Sequence, residues 1–275
     1  MSGQLEIITS KNLVAGYPGN IVWRDASFSI DRGEFVAVIG PNGAGKTTLF
    51  RLLLGLQQPV SGTIKIFNAS PKRGNPQIGY VPQRHIFDGE TNVESLELVR
   101  LGFSGKQWGL ASFNSAKRWR HDGLFSQKDR KAAFDALEAV GATDLAHRSL
   151  AVLSGGELQR IFLAEALVSN PTVLLLDEPL SNLDMRREKE LLQLVSGVVR
   201  SRNVTALLIA HNINPLLPFL DKVVYIANGK VATGTPQDVL TSECLSALFG
   251  VQVEVLRDSR GNVAVVGIED VHRCQ

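Results

Sequence analysis

GPNGAGKTT, at residues 40–48, decides how the rest of the chain is read. Gly40 is followed by Pro41, Asn42, Gly43 and Ala44, then by Gly45, Lys46, Thr47 and Thr48, which satisfies the G-x-x-x-x-G-K-[ST] phosphate-loop pattern at every required position. The flanks agree with it. EFVAVIG (34–40) is a short apolar run of strand type, and TTLFRLLLGL (47–56) carries leucines at helical spacing. In a strand–loop–helix setting the glycines let backbone N–H groups turn inward onto phosphate oxygens, and the helix start adds partial positive charge. Lys46 is expected at the β- and γ-phosphates of a nucleoside triphosphate, and Thr47 at Mg2+.

A phosphate loop alone does not say what its energy drives. Composition removes some classes. The 275 residues leave room for one or two domains, with 44% apolar and 20% charged residues as in an ordinary globular protein. A net charge of +2 gives no electrostatic case for nucleic acid. Cys244 and Cys274 lie far apart and form no C-x-x-C pair, which points to a reducing compartment without a disulfide framework. MSGQLEIITS (1–10) lacks the basic and apolar regions of a secretory signal, and no apolar run approaches the ~18 residues of a membrane span. The expectation is a cytoplasmic chain; if it works at a membrane, another protein does the spanning.

The pattern along the chain is α/β. LEIIT, LVAGY and ASFSI, within 5–30, read as strands separated by turns, and SGTIKIF (61–67) as a further alternating strand. Beyond Gln83 the pattern becomes helical, with amphipathic segments expected over 90–101 and 128–140. Between them, 102–127 is polar, aromatic and basic with weak periodicity. TVLLL (172–176) and VTALLIA (204–210) are apolar without alternation, as strands buried on both faces are. DKVVYIANGKVATG (221–234) predicts a hairpin turning at Asn228-Gly229, and a second hairpin is expected around Arg260, Gly261 and Asn262. The reading is an α/β core over 6–240 with a helical insert near 90–160, and a small C-terminal appendage over 241–275.

Two buried runs end in chemistry-bearing residues. VLLLDEP (173–179) closes on Asp177 and Glu178, where open α/β sheets place ligands. Asp177 is expected to act on Mg2+, directly or through water, and Glu178 to serve as general base toward an attacking water. TALLIAH (205–211) closes on His211, whose imidazole is expected at the γ-phosphate or that water. A third feature, LSGGELQR (153–160), is a second anion site: Ser154 and Glu157 form a capping-box pattern, and Gly155 and Gly156 leave N–H groups bare at a helix start. Two phosphate-binding helix starts with one lysine suggest two nucleotides, each shared with a second chain.

With these motifs in order and at normal spacing over 6–240, the sequence resembles the ATP-binding-cassette (ABC) ATPases. The resemblance implies a P-loop NTPase core with an N-terminal antiparallel β subdomain and a helical subdomain. It implies ATP and Mg2+ as cofactors, Tyr17 stacked on adenine, and Gln83 touching Mg2+ and the attacking water. It makes LSGGE the family signature, His211 the switch histidine, and SNLD, ending at Asp184, the loop that crosses a dimer interface. It also implies a head-to-tail dimer of two copies holding two ATP molecules between one copy's phosphate loop and the other's signature.

The resemblance further implies the kind of work. A cassette without fused spans is similar to the ATPases of importers, which serve a separate membrane permease and, indirectly, an extracytoplasmic binding protein. This places the chain at the cytoplasmic face of a membrane. The segment after His211, with its NPLLP turns, looks like that of zinc and manganese importers, although many of those carry aspartate where this chain has Asn212. Importers of iron chelates or amino acids are the alternative reading. Family members that act on DNA or ribosomes carry paired cassettes or large insertions; here only KRWRHDG (117–123) argues for them, and no nucleic-acid partner is expected. His272 and Cys274 are read as an inert tail rather than a metal sensor.

Overall fold

The computed structural model describes residues 6–17, 19–83, 93–104, 127–181 and 183–267. The basic run at 117–123, most of the polar insert, the first residues of the helix expected from 90, and His272 and Cys274 lie outside them. In chain order the elements are β1 (Glu6–Tyr17), β2 (Asn20–Asp31), β3 (Phe35–Ile39), α1 (Lys46–Leu53), β4 (Ser61–Ile66), β5 (Ile78–Val81), α2 (Ser95–Leu101), α3 (Gln127–Ala139) and α4 (Gly155–Leu167). They continue with β6 (Val173–Asp177), α5 (Met185–Arg202), β7 (Thr205–Ile209), β8 (Lys222–Ala227), β9 (Lys230–Gly234), α6 (Pro236–Val239), α7 (Ser242–Phe249), β10 (Glu254–Arg257) and β11 (Val263–Val266). The strands pair in the orders β2-β1-β4, β5-β6-β7-β3-β8-β9 and β10-β11.

The chain forms two compact units, one of residues 1–71 with 208–275 and one of 72–207. In the first, β1 pairs antiparallel with both β2 and β4. Alternation along β1 predicts two strands, whereas the structure shows one. The reason is local: Asn12 takes a left-handed φ of 46°, which asparagine tolerates, and its N–H donates to Ser27 Oγ at 2.9 Å, so the register slips between Ser10 and Leu13 without breaking the strand. β3 is buried at all five positions and runs parallel to β8, which turns back into β9. That turn uses Asn228 and Gly229 at φ 51° and 72°, the paired positive φ values a two-residue hairpin needs.

In the second unit β5 runs parallel to β6. Helices α2, α3 and α4 pack on one another, and α4 also lies on β5. The α4–β5 contact is close enough that a Cβ on Gly79 would fall 2.4 Å from the Ala166 carbonyl oxygen. β6, like β3, is buried at every position, as expected of a strand covered on both faces. Among the described residues no helix is long and apolar enough to cross a membrane.

Candidate functional site

In the first unit the phosphate loop joins β3 to α1. Its shape requires glycine at two points. Gly40 has φ 152° and a Cβ there would sit 2.0 Å from the Ile226 carbonyl oxygen; Gly45 has φ 96° and a Cβ would meet Val22 Cγ1 at 2.3 Å. Side chains pack directly beneath the loop, and the Trp23 indole N–H donates to the Gly45 carbonyl at 3.4 Å. Lys46 is buried at 6% exposure, and its ammonium donates to the carbonyls of Gly40 at 2.8 Å and Pro41 at 3.0 Å. The charge is thus folded into the loop it serves. Thr47 is exposed and Thr48 buried. The Tyr17 ring is half-exposed, and its hydroxyl accepts from Arg51 Nη1 of α1 at 2.5 Å, which ties the aromatic to the helix that begins at the loop. His211 is exposed, two residues beyond β7. Just before it the Ala210 N–H donates to the Val38 carbonyl of β3 at 3.3 Å.

The second unit carries the paired carboxylates. Asp177 is the last residue of β6, 3% exposed, and Oδ2 accepts from the Tyr80 hydroxyl at 3.4 Å. Glu178 follows with φ 51°, a left-handed conformation that costs a non-glycine residue about 1–3 kcal/mol and that clusters at functional sites. The turn is held by Ser181, whose N–H and hydroxyl donate to the Glu178 carbonyl at 3.1 and 2.9 Å. Gln83 Nε2 donates to Glu178 Oε2. The structure therefore brings Gln83, Asp177 and Glu178 together, with Tyr80 as a fourth member that sequence reasoning missed. Period-2 alternation assigns Tyr80 a face of β5 but not a partner.

The signature segment has the geometry its sequence predicts. Ser154 caps α4, accepting from the Glu157 N–H at 3.4 Å, while the Glu157 carboxylate accepts from the Ser154 N–H at 2.8 Å and its hydroxyl at 2.7 Å. The backbone N–H and then the hydroxyl of Ser154 hold the Glu157 carboxyl below its usual value. Gly155 is open, and Arg187 lies over Gly156, its Cδ 3.6 Å from where a Cβ would stand. Asp184 caps α5 by accepting from the N–H groups of Arg186 at 3.1 Å and Arg187 at 2.9 Å. A cleft beside the signature is lined by Gly141, Asp144, Ser154, Gly156, Arg160 and Arg187. Its two guanidiniums pair with Glu190 and Asp184 at 3.6 and 3.5 Å. Arg160 closes the signature stretch quoted from the sequence, whereas Arg187 carries no site signal there, because it falls in an ordinary charged helix pattern.

Comparison with known proteins adds an independent line. Residues 23–181 match the ABC transporter family. The chain is 32% identical over 247 residues to the manganese transport system ATP-binding protein MntB of Bacillus subtilis (strain 168), covering 90% of this chain and 94% of that one. It is 33% identical over 227 residues to the high-affinity zinc uptake system ATP-binding protein ZnuC of the same organism, covering 82% and 93%. Among solved structures, the dimeric bacterial ABC transporter cassette MJ0796 superposes with a TM-score of 0.66 at 26% identity, covering 83% of this chain and 98% of that one. The phosphate loop, the β6 carboxylates and the capped signature helix all fall within a match of this extent, and the chain belongs to the ABC transporter family as one of its ATP-hydrolysing cassettes.

Proposed function

We propose that the chain is the ATP-hydrolysing subunit of an importer for a divalent metal cation, manganese or zinc, working as a head-to-tail dimer against a separate membrane permease at the cytoplasmic face. The observation that carries the substrate class is the 32% identity to a manganese transport ATPase over 90% of the chain, joined by a zinc uptake relative at similar identity. The metal is cargo delivered by an extracytoplasmic binding protein through the permease; the cassette supplies the stroke.

In this reading Tyr17 stacks on adenine, and the backbone from Gly40 through Pro41, Asn42, Gly43, Ala44 and Gly45 cradles the phosphates. Lys46 bears on the β- and γ-phosphates, with Thr48 buried behind it. The donors assigned to Mg2+ are the Thr47 hydroxyl, the Asp177 carboxylate and the Gln83 amide oxygen. They are hard oxygen ligands, the set that this ion prefers. Mg2+ held by these donors would supply positive charge to offset that of the triphosphate. Glu178 takes the proton of the attacking water. Its hydrogen bond from Gln83 Nε2 fixes the carboxylate, and the Gln83 amide oxygen would be available to hold the ion. His211 contacts the γ-phosphate or the water. Ser154, Gly155 and Gly156 receive the γ-phosphate of ATP held by the other copy, with Glu157 locking the helix start and Asp184 lying at the interface between copies. Closure is favoured only while γ-phosphate bridges the two, so hydrolysis reopens the dimer.

The test is capture of partners from native membranes with the Glu178→Gln protein and ATP, followed by mass spectrometry. A polytopic membrane protein in about equal amount, in membranes that lose manganese or zinc uptake when Lys46→Ala replaces the native chain, is the expected result. Recovery of ribosomal proteins or nucleic acid without a membrane partner contradicts it.

A further inference from the structure

The segment after His211 is tied down in a way that the functional reading above does not use. Asn214 spends both halves of its carboxamide on one residue of the C-terminal ribbon: Nδ2 donates to the Val263 carbonyl at 3.0 Å, and Oδ1 accepts the Val263 N–H at 2.7 Å. This is the two-bond exchange of an antiparallel residue pair, made here by a side chain. The Asn214 backbone N–H in turn donates to Asn212 Oδ1 at 3.0 Å, closing an Asx turn directly behind His211. On the far side the Ile213 carbonyl accepts from Leu216 and Leu217 at 2.9 and 3.1 Å, and Leu216 is fully buried.

Val263 is a firm anchor. It is 6% exposed and pairs with Arg257 across the β10–β11 ribbon. The ribbon is fastened to the rest of its unit: Val255 N–H donates to Ser242 Oγ at 2.9 Å, Arg257 Nη2 to the Leu240 carbonyl at 3.0 Å, and Ser246 Oγ exchanges bonds with the N–H and carbonyl of Val253 at 2.9 and 3.2 Å. The path from ribbon to histidine is short and polar throughout. It runs from Val263 to the Asn214 side chain, from the Asn214 N–H to the Asn212 side chain, and so to the residue adjoining His211.

We infer that Asn214 is a positioning residue for ATP hydrolysis, holding the His211 loop in its working conformation by clasping the backbone of Val263 in the C-terminal ribbon. The inference rests on the role proposed for His211. Only asparagine supplies a donor and an acceptor at this reach. Aspartate is of equal size but keeps only the bond from the Val263 N–H and sets a carboxylate against the Val263 carbonyl. A small displacement of a catalytic group costs up to about 100-fold in rate, and the loop begins just past the C-terminal end of β7, the kind of position where open α/β sheets place ligands.

The experiment compares Asn214→Asp, Asn212→Ala, His211→Ala and the double variant Asn214→Asp/His211→Ala in the full chain. Nucleotide affinity, KM, kcat, melting temperature and the imidazole NMR resonances of His211 are measured. The expected result is kcat lower by about 10- to 100-fold in Asn214→Asp with ATP affinity and KM within about 2-fold of wild type, the range expected for misplacement without lost binding. A shifted or broadened His211 resonance and no further loss in the double variant complete it. Asn212→Ala leaves the Val263 clasp intact and is also expected to lower kcat at constant KM, which keeps the test decisive if Asn214→Asp folds poorly. Wild-type kcat in His211→Ala overturns the role of His211 itself. Loss in His211→Ala with wild-type kcat and an unchanged imidazole spectrum in Asn214→Asp and Asn212→Ala overturns the positioning role alone, as does a multiplicative loss in the double variant.

Discussion

In the proposed function, ATP binding turns on Lys46. Its ammonium is held by two carbonyls of the loop that precedes it, so the positive charge is fixed within that loop. A charge-assisted hydrogen bond contributes about 1.5–3 kcal/mol. Lys46→Ala is therefore expected to weaken ATP binding by at least about 10-fold, read with a fluorescent nucleotide, and to lower the melting temperature without nucleotide as well, because both loop carbonyls lose their donor. In the same proposal Glu178 governs turnover. Its backbone is held at φ 51° by the Ser181 turn and its carboxylate is fixed by Gln83, a placement suited to a base and costly for a residue without a task. Glu178→Gln is expected to keep nucleotide affinity and lower steady-state hydrolysis by about 10²–10⁴-fold, the range of general-base catalysis. At this scale much was legible, since each motif names its own residues. Asn212 shows the limit. The resemblance leads to an expectation of aspartate there, but among the described residues its side-chain oxygen accepts the Asn214 N–H, which aspartate does equally well.

Helix α4 connects the signature to the core of its unit, and two carboxylates on it respond oppositely to pH. The Ser154 hydrogen bonds lower the folded pKa of Glu157 beneath its ordinary 4.5. Its share of the capping box is therefore fully present above that value and is lost as pH falls through the folded pKa. Ser154→Ala is expected to cost about 1 kcal/mol of stability at neutral pH, and the difference should shrink under acid in denaturant titrations. Glu165, further along the helix, is pushed by burial from 4.5 to about 8. It stays protonated in the fold while the unfolded chain ionises, so it costs stability increasingly from about pH 4.5 up to about pH 8. Glu165→Gln should match wild type in melting temperature below pH 4.5 and exceed it at pH 8. The capping box was legible because Ser154 and Glu157 stand three apart before an apolar run; the burial of Glu165 was not, because one acidic residue on an amphipathic helix reads as solvated until its neighbours are known. Elsewhere the β-branched and leucine runs announced β3, β6 and β7. The unity of β1 was hidden by Asn12, whose left-handed backbone looks like a break in any alternation count.

Across the whole molecule the functional reading requires two copies. The order of phosphate loop, signature and paired carboxylates was visible in the sequence because each is local, and together they identified the family. The contacts that serve those motifs join residues far apart in sequence, as Tyr80 with Asp177 and Asn214 with Val263 do, and no periodicity encodes them. If the signature of one copy receives ATP from the other, Ser154→Arg, which places a bulky side chain at the start of α4, is expected to retain nucleotide binding at the phosphate loop but lose hydrolysis. Full-rate hydrolysis by that variant as a monomer contradicts the shared site. The most direct measurement is sedimentation of the Glu178→Gln protein with and without ATP. A shift from monomer to dimer with ATP, absent with ADP and absent when Ser154→Arg is added, is the predicted result; a protein that stays monomeric at saturating ATP contradicts the account.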